Sequence, residues 1–297
     1  MVKRKTSRPE RPGAKPAGPK PAGPDSGRPR PAGRRGPGKG RPPSAPDPAS
    51  DAGWLWGGHA VLAALANARR RCKRVLIAGE TVETWEPQVA ELLEARDELR
   101  KPEIIARHEF DRILPPGAVH QGVALLAEPL QQPELEAILR DLPADAPAAV
   151  LLLDQVTDPH NVGAVLRSAA AFGAAAVVTT RRNAPAETGA LAKTASGALE
   201  HVPYPQVTNL ARAMTALQDH GFQVVGLAGD AEAALADLAD APRVALVLGA
   251  EGHGLRQKTR ATCDRLVRLP TQGPIGELNV SNAAAVTLYE LIGRKRS

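Results

Sequence analysis

The chain has 297 residues, 43% of them apolar, which is enough for one large domain or two ordinary ones with a real core; only 3% are aromatic, so Ala, Val and Leu must build it. Residues 1–50 hold 13 of the 38 Lys/Arg and 3 of the 32 Asp/Glu, so the net charge of +6 belongs to a basic head, and the remaining body is mildly acidic at 25 against 29. Two distant cysteines with no CxxC spacing argue against a disulfide framework or a zinc site and fit a reducing cytoplasm, and no apolar run reaches the roughly 20 residues of a membrane span or forms a secretory signal.

Residues 1–51 carry 13 of the 28 prolines, many glycines and almost nothing apolar, and are expected to be a disordered tail that either follows nucleic-acid phosphates or only solubilises the chain. Order is expected to begin at Trp54-Leu-Trp-Gly-Gly-His-Ala-Val. A small α/β domain, residues 52–128, then reads as strand 74–78, amphipathic helix 83–99, strand 103–106, short helix 108–114 and strand 122–127. Residues 129–148, with prolines around one short helix, read as a linker. Residues 149–297 follow as a second domain, opening on the continuous apolar run Ala149-Val-Leu-Leu-Leu-Asp154 of a strand buried on both faces. Helices are expected at 159–172, near 187–199, at 207–220 and at 278–292. Strands are expected at 175–179, 222–228, 244–248 and 266–269. This alternation points to a parallel sheet with helices on both faces.

Three segments could carry chemistry, each just after a strand, where open α/β sheets place their ligands. In the first, Asp158-Pro159 caps a helix whose first turn holds Asn161, with Arg167 nearly two turns on. In the second, Leu248-Gly249-Ala-Glu-Gly-His-Gly254 allows close backbone approach and sets Glu251 between glycines. Its order is GxxGxG rather than GxGxxG, which speaks against a dinucleotide-dependent oxidoreductase. In the third, the Gly/Pro-rich loop from Leu269 through Ile275 feeds a helix beginning at Leu278-Asn-Val-Ser281. Three polar residues in that first turn (Asn279, Ser281 and Asn282) exceed what capping requires.

Together these segments resemble the three motifs of the SpoU (TrmH-like, SPOUT-class) RNA ribose 2′-O-methyltransferases. Gly57-Gly-His-Ala-Val and Gly117-Ala-Val-His-Gln-Gly extend the resemblance to the small substrate-binding domain, similar to a ribosomal protein, of the 23S rRNA guanosine methyltransferase subgroup. Two positions depart from the pattern: Ala250 stands where Asn is common, and Glu277 where Ser is frequent. The resemblance implies a C-terminal trefoil knot, a homodimer, RNA as substrate and S-adenosylmethionine as methyl donor. It places Gly249, Leu269 and Leu278, with Leu248, Gly252 and Ile275 beside them, at the cofactor. It places Asn161, Arg167, Glu251, Asn279 and Ser281 at catalytic or RNA-binding positions.

The expected reaction is attack of a ribose 2′-oxygen on a sulfonium methyl, with no metal. Arg167 would activate the hydroxyl or grip the neighbouring phosphate, and Glu251 would fix Arg167 or a base edge. The basic runs Arg69–Arg74 and Arg294–Arg296 are expected RNA contacts, whereas His59 and His120 read as turn or packing residues. A tRNA substrate and a catalytically silent RNA-binding protein are the alternatives.

Overall fold

The computed structural model describes residues 53–293 except 97, 98, 100, 145, 239, 240 and 275. The tail expected over residues 1–51 and the basic run 294–296 lie outside the described residues.

The first sheet has four strands in the order β1-β4-β2-β3: β1 (Trp54–Trp56), β2 (Cys72–Ala78), β3 (Glu103–Ile105) and β4 (Val123–Ala127). β4 pairs antiparallel with β1 and β2, and β3 joins β2 in parallel. Helices α1 (Gly58–Ala66) and α2 (Val82–Leu93) bury Val61, Leu65, Val89 and Leu93 on one side. On the other side α3 (Arg107–Ile113) packs Phe110 against Trp54, Trp56 and Leu76. β1 is too short for its period to show in sequence, and the glycines of Gly57-Gly58 mask the start of α1. The helix expected to reach residue 99 stops at Leu93. Shortly beyond it the Arg96 guanidinium gathers the carbonyls of Leu65 (2.7 Å), Asn67 (2.6 Å) and Arg70 (2.9 Å). A buried cation is thereby placed on the open carbonyls at the end of α1.

The segment 129–148 is not idle. Its helix α4 (Leu135–Asp141) buries Leu135, Ile138 and Leu139 in the core of the second sheet.

That second sheet has seven strands in the order β7-β6-β5-β10-β8-β11-β9, and every pairing is parallel. The central strands are β5 (Ala148–Asp154), β10 (Arg243–Gly249) and β8 (Gln223–Leu227). They are flanked by β6 (Ala176–Thr180) and β7 (Gln206–Val207) on one edge and by β11 (Arg265–Arg268) and β9 (Ala233–Ala234) on the other. One face carries α5 (Pro159–Phe172), α6 (Gly189–Ala195) and α9 (Val280–Leu288), and the other α4, α7 (Leu210–Asp219) and α8 (Gln257–Thr262). α5 matches its expected span because Asp158 accepts from His160 and Asn161 N–H at one end and Gly173 turns left-handed at the other. The Ala-rich stretch after Glu187 gives only a short α6, since Ser196 and Gly197 both adopt positive φ. α5 crosses α6 at Gly163, where a Cβ would come within 2.8 Å of the Leu191 carbonyl.

The two sheets meet along α1, α6 and the turn after Asn67. Arg70, 1% exposed, pairs with Glu187 and with Glu200 (2.5 Å) and donates to the Glu128 carbonyl at 3.0 Å. Arg70 was expected to contact RNA, and its burial corrects that reading. Lys73 pairs with Glu128 and Arg74 with Glu103, so Arg69 and Arg71 alone in the run lack an ion pair among the described residues.

Candidate active site

The carboxyl ends of β5 and β10 lie side by side, with Asp154 in register with Gly249. Beyond Gly249 the chain makes a tight excursion closed by a bridge between Ala250 and Gly254, in which Gly254 N–H donates to the Ala250 carbonyl at 2.9 Å. Gly252 and Gly254 take positive φ, and a Cβ on Gly249 would lie 2.3 Å from the Gly254 carbonyl carbon. Only glycine fits that approach. The departure at Ala250 costs nothing in this turn, because its backbone makes the contact.

Asp154 fixes the returning limb. It is fully buried and accepts from Arg256 N–H (3.0 Å) and from Arg256 Nε (2.7 Å) and Nη2 (2.7 Å). The Asp154–Arg256 pair was not singled out from sequence; an aspartate closing a buried apolar strand was the available signal.

On this frame three sequence-distant segments converge. Asn279 caps α9, its Oδ1 accepting from Ser281 N–H (2.9 Å) and Ser281 Oγ–H (2.6 Å). Its Nδ2 donates to Asn161 Oδ1 at 3.0 Å and to Glu251 Oε1. Asn161 Nδ2 donates to the same Glu251 oxygen at 3.2 Å. Asn161, Glu251, Asn279 and Ser281 therefore form one network, and Glu251 Oε2 has no hydrogen bond among the described residues. Two amide donors on one oxygen fix the orientation of the carboxylate.

Arg167 stays outside the network. Six residues after Asn161, it lies about 120° round α5 from it at 3.6 residues per turn. It is exposed, with no hydrogen bond or ion pair among the described residues. Glu251, expected to fix Arg167 or a base edge, is held by the two asparagines and makes no contact with Arg167 among the described residues.

A cavity of about 600 Å³ opens beside the network. Leu248, Gly249, Gly252, Leu269 and Leu278 line it, together with Leu227, Asp230, Glu251 and Asn279. Ile275, expected at the cofactor, lies outside the described residues. Glu277 lines the cavity too, its Oε1 3.1 Å from where a Gly229 Cβ would stand. Apolar walls, exposed loop backbone and a few carboxylates suit a ligand with an aromatic base, an aliphatic stem and a positive centre. Among the described residues no group of three or more His, Cys, Asp or Glu could hold a metal, and no helix is long and apolar enough to cross a membrane. Cys263, behind the loop, has its thiol pushed up to about 12 by burial, beside Asp264.

Residues 148–289 match the SpoU rRNA Methylase family, and residues 54–133 match the RNA 2′-O ribose methyltransferase substrate-binding family. The 23S rRNA (guanosine-2′-O-)-methyltransferase of Pseudomonas putida is 39% identical over 247 residues, spanning 82% of this chain and 96% of that protein. The protein of the same name from Escherichia coli is 39% identical over 245 residues, spanning 82% and 98%. Among solved structures, the SpoU methyltransferase AviRb from Streptomyces viridochromogenes, in complex with AdoMet, superposes with a TM-score of 0.67 at 22% identity, covering 82% of this chain and 90% of that one. The match of both segments in order, and relatives alike over nearly their whole length, establish that this chain belongs to the SpoU rRNA methylase family.

Proposed function

We propose that the protein methylates the 2′-hydroxyl of a guanosine ribose in 23S rRNA, with S-adenosylmethionine as donor. The observation that carries this reading is the convergence of Asn161, Glu251, Asn279 and Ser281 at the mouth of the cavity, in a chain so like the named rRNA methyltransferases. Residues 52–128 act as the substrate-binding domain, 129–148 as the connection and 149–297 as the methyltransferase domain.

The donor supplies an electrophilic methyl group; Leu248, Gly249, Gly252, Leu269 and Leu278 would hold it, largely through backbone and apolar contact. The chain's task is alignment, holding the ribose oxygen on the line of attack. Glu251 Oε2 accepts the hydrogen bond of the 2′-hydroxyl, fixes its oxygen and receives its proton as the oxygen takes the methyl group, while the asparagines keep the carboxylate from turning. Ser281, whose hydroxyl proton is committed to Asn279, offers lone pairs to the neighbouring ribose hydroxyl. Arg167 grips an RNA phosphate through its planar fork.

We further infer a trefoil knot, a small domain of ribosomal-protein type and a homodimer. The fold likeness and the β5-β10-β8-β11 order support the first. A four-stranded sheet covered on both faces supports the second. The exposed apolar side chains of Val286 and Tyr289 along α9 support the third. A substrate in ribosomal RNA supports a cytoplasmic location.

The test is ribose-methylation mapping of 23S rRNA and tRNA incubated with the purified protein and S-adenosylmethionine. One methylated guanosine in 23S rRNA is expected, and Glu251→Ala should abolish it. A mark on tRNA alone would overturn the substrate.

A further inference from the structure

Two motifs of the small domain, Gly57-Gly58 and His120-Gln121-Gly122, meet a lysine of the other sheet's α6. Gln121 Oε1 accepts from Gly58 N–H at 3.2 Å and from Lys193 Nζ at 2.6 Å. Lys193 lies so close over Gly57 that a Cβ there would stand 2.5 Å from its nitrogen.

The loop that presents Gln121 is locked from several sides. Trp85 Nε1–H donates to the Gln121 carbonyl at 2.8 Å, and His120 Nδ1 accepts from Gly122 N–H at 3.1 Å. Thr81 packs so tightly on Gly122 that a side chain there would collide with it. Gln121 itself holds φ +58, a conformation that a non-glycine residue keeps only where its surroundings impose it.

The charge at this place is unbalanced. An ammonium has three donors, and the neutral Gln121 amide is the only hydrogen-bond partner of Lys193 among the described residues. No carboxylate lies within ion-pair distance among them, and partial burial pushes the Lys193 ammonium below its ordinary range. The Gln121 amide nitrogen adds further donors without a partner among the described residues. The next residue on α6, Thr194, touches the His160 ring at 3.2 Å, and His160 adjoins Asn161 of the active-site network. A half-buried cation and an amide, both with unused donors and no anion, thus sit between the small domain and the methyl-transfer loops.

We propose that Lys193 and Gln121 form a subsite for one backbone phosphate of the RNA, setting the strand's path from the small domain to the active site. This rests on the function proposed above. An oxyanion there would give the ammonium the counter-charge that the fold withholds. A phosphate contact carries no base information, so the subsite sets register rather than sequence.

The test is filter binding of full-length in vitro transcribed 23S rRNA to the full chain between 50 and 200 mM KCl. Lys193→Gln removes the charge but can still bond the Gln121 amide. Its slope of log affinity against log salt should be shallower than wild type by about 0.7–0.9, so its deficit narrows about threefold across that range. Lys193→Arg should retain the wild-type slope. Gln121→Glu, which supplies a carboxylate to the ammonium, should lose it as Lys193→Gln does. S-adenosylmethionine affinity by calorimetry and Tm should stay at wild-type values in Lys193→Gln. A purely structural contact would lower Tm and leave the slopes equal. Equal slopes, with the transcript still methylated by wild type, overturn the subsite alone; no methylation by wild type overturns the function on which it rests.

Discussion

Asn279 uses both ends of one amide: the oxygen caps α9 and the nitrogen holds Asn161 and Glu251. The two uses can be separated. Asn279→Asp keeps the cap, for which Asp and Asn are equivalent, but sets a carboxylate against Glu251. Its Tm should stay near wild type while kcat falls at least about 100-fold, the scale of losing one positioned donor at a reacting centre. Transfer of labelled methyl to rRNA reads the second effect, and normal turnover would remove Glu251 and Asn279 from the mechanism.

His120 gives a second test at this scale. It stacks on Phe110 with ring centroids 4.3 Å apart, and its Nδ1 accepts from Gly122, so the fold needs it neutral there. Burial, with Arg107 nearby, holds its pKa below the ordinary value. A base whose folded pKa is depressed contributes stability that is full above its unfolded pKa, about 6.5, and is lost as pH falls through the folded value. Tm should therefore drop more steeply below pH 6.5 in wild type than in His120→Phe, by calorimetry over pH 4–8.

Among the elements, the turn between Gly249 and Gly254 does most to shape the cavity. Gly249→Ala drives a methyl group into the Gly254 backbone, which cannot move while Asp154 holds Arg256. S-adenosylmethionine affinity should fall at least about tenfold, or 1.4 kcal/mol, in calorimetry, whereas RNA binding should persist. Unchanged cofactor affinity would contradict the placing of the donor here.

Much of this was legible in sequence. The buried runs at Val150–Leu153 and Val244–Leu248, the Asp158-Pro159 start of α5 and the order of the three loops all follow from local patterns. β1 was not legible, because three residues show no period. Nor was the partner of Glu251: which side chains meet depends on how α5 and α9 pack over the sheet ends. Asp154 and Lys193 were passed over for the same reason: their partners Arg256 and Gln121 lie 102 and 72 positions away in sequence.

For the whole molecule, the decisive feature is the seal between the sheets. Arg70 comes from one and Glu187 and Glu200 from the other, and all three are largely out of water. Burial raises the Glu187 carboxyl above its ordinary range even with Arg70 beside it. Removing the arginine leaves two buried carboxylates facing each other. Arg70→Met should cost about 3–5 kcal/mol at neutral pH, the range for breaking a buried pair, and split one calorimetric transition into two. Acid should relieve the variant, because protonating Glu187 and Glu200 removes the stranded charges. A single transition at the wild-type Tm would show that the seal does not couple the sheets.

The same long reach fixes when, during synthesis, the protein can begin to work. Asn161 is made first, Glu251 ninety residues later and Asn279 another twenty-eight after that, and the bonds joining the three span 90, 28 and 118 residues. A growing chain that has passed Arg256 holds the glycine turn but lacks the clamp on Glu251 and the Leu278–Val280 wall of the cavity. Ribosome-bound chains halted before residue 279 should show no protection from protease by S-adenosylmethionine, whereas chains extended far enough for α9 to clear the exit tunnel should. Capture of the methyl donor is thus expected only once α9 has packed on the sheet.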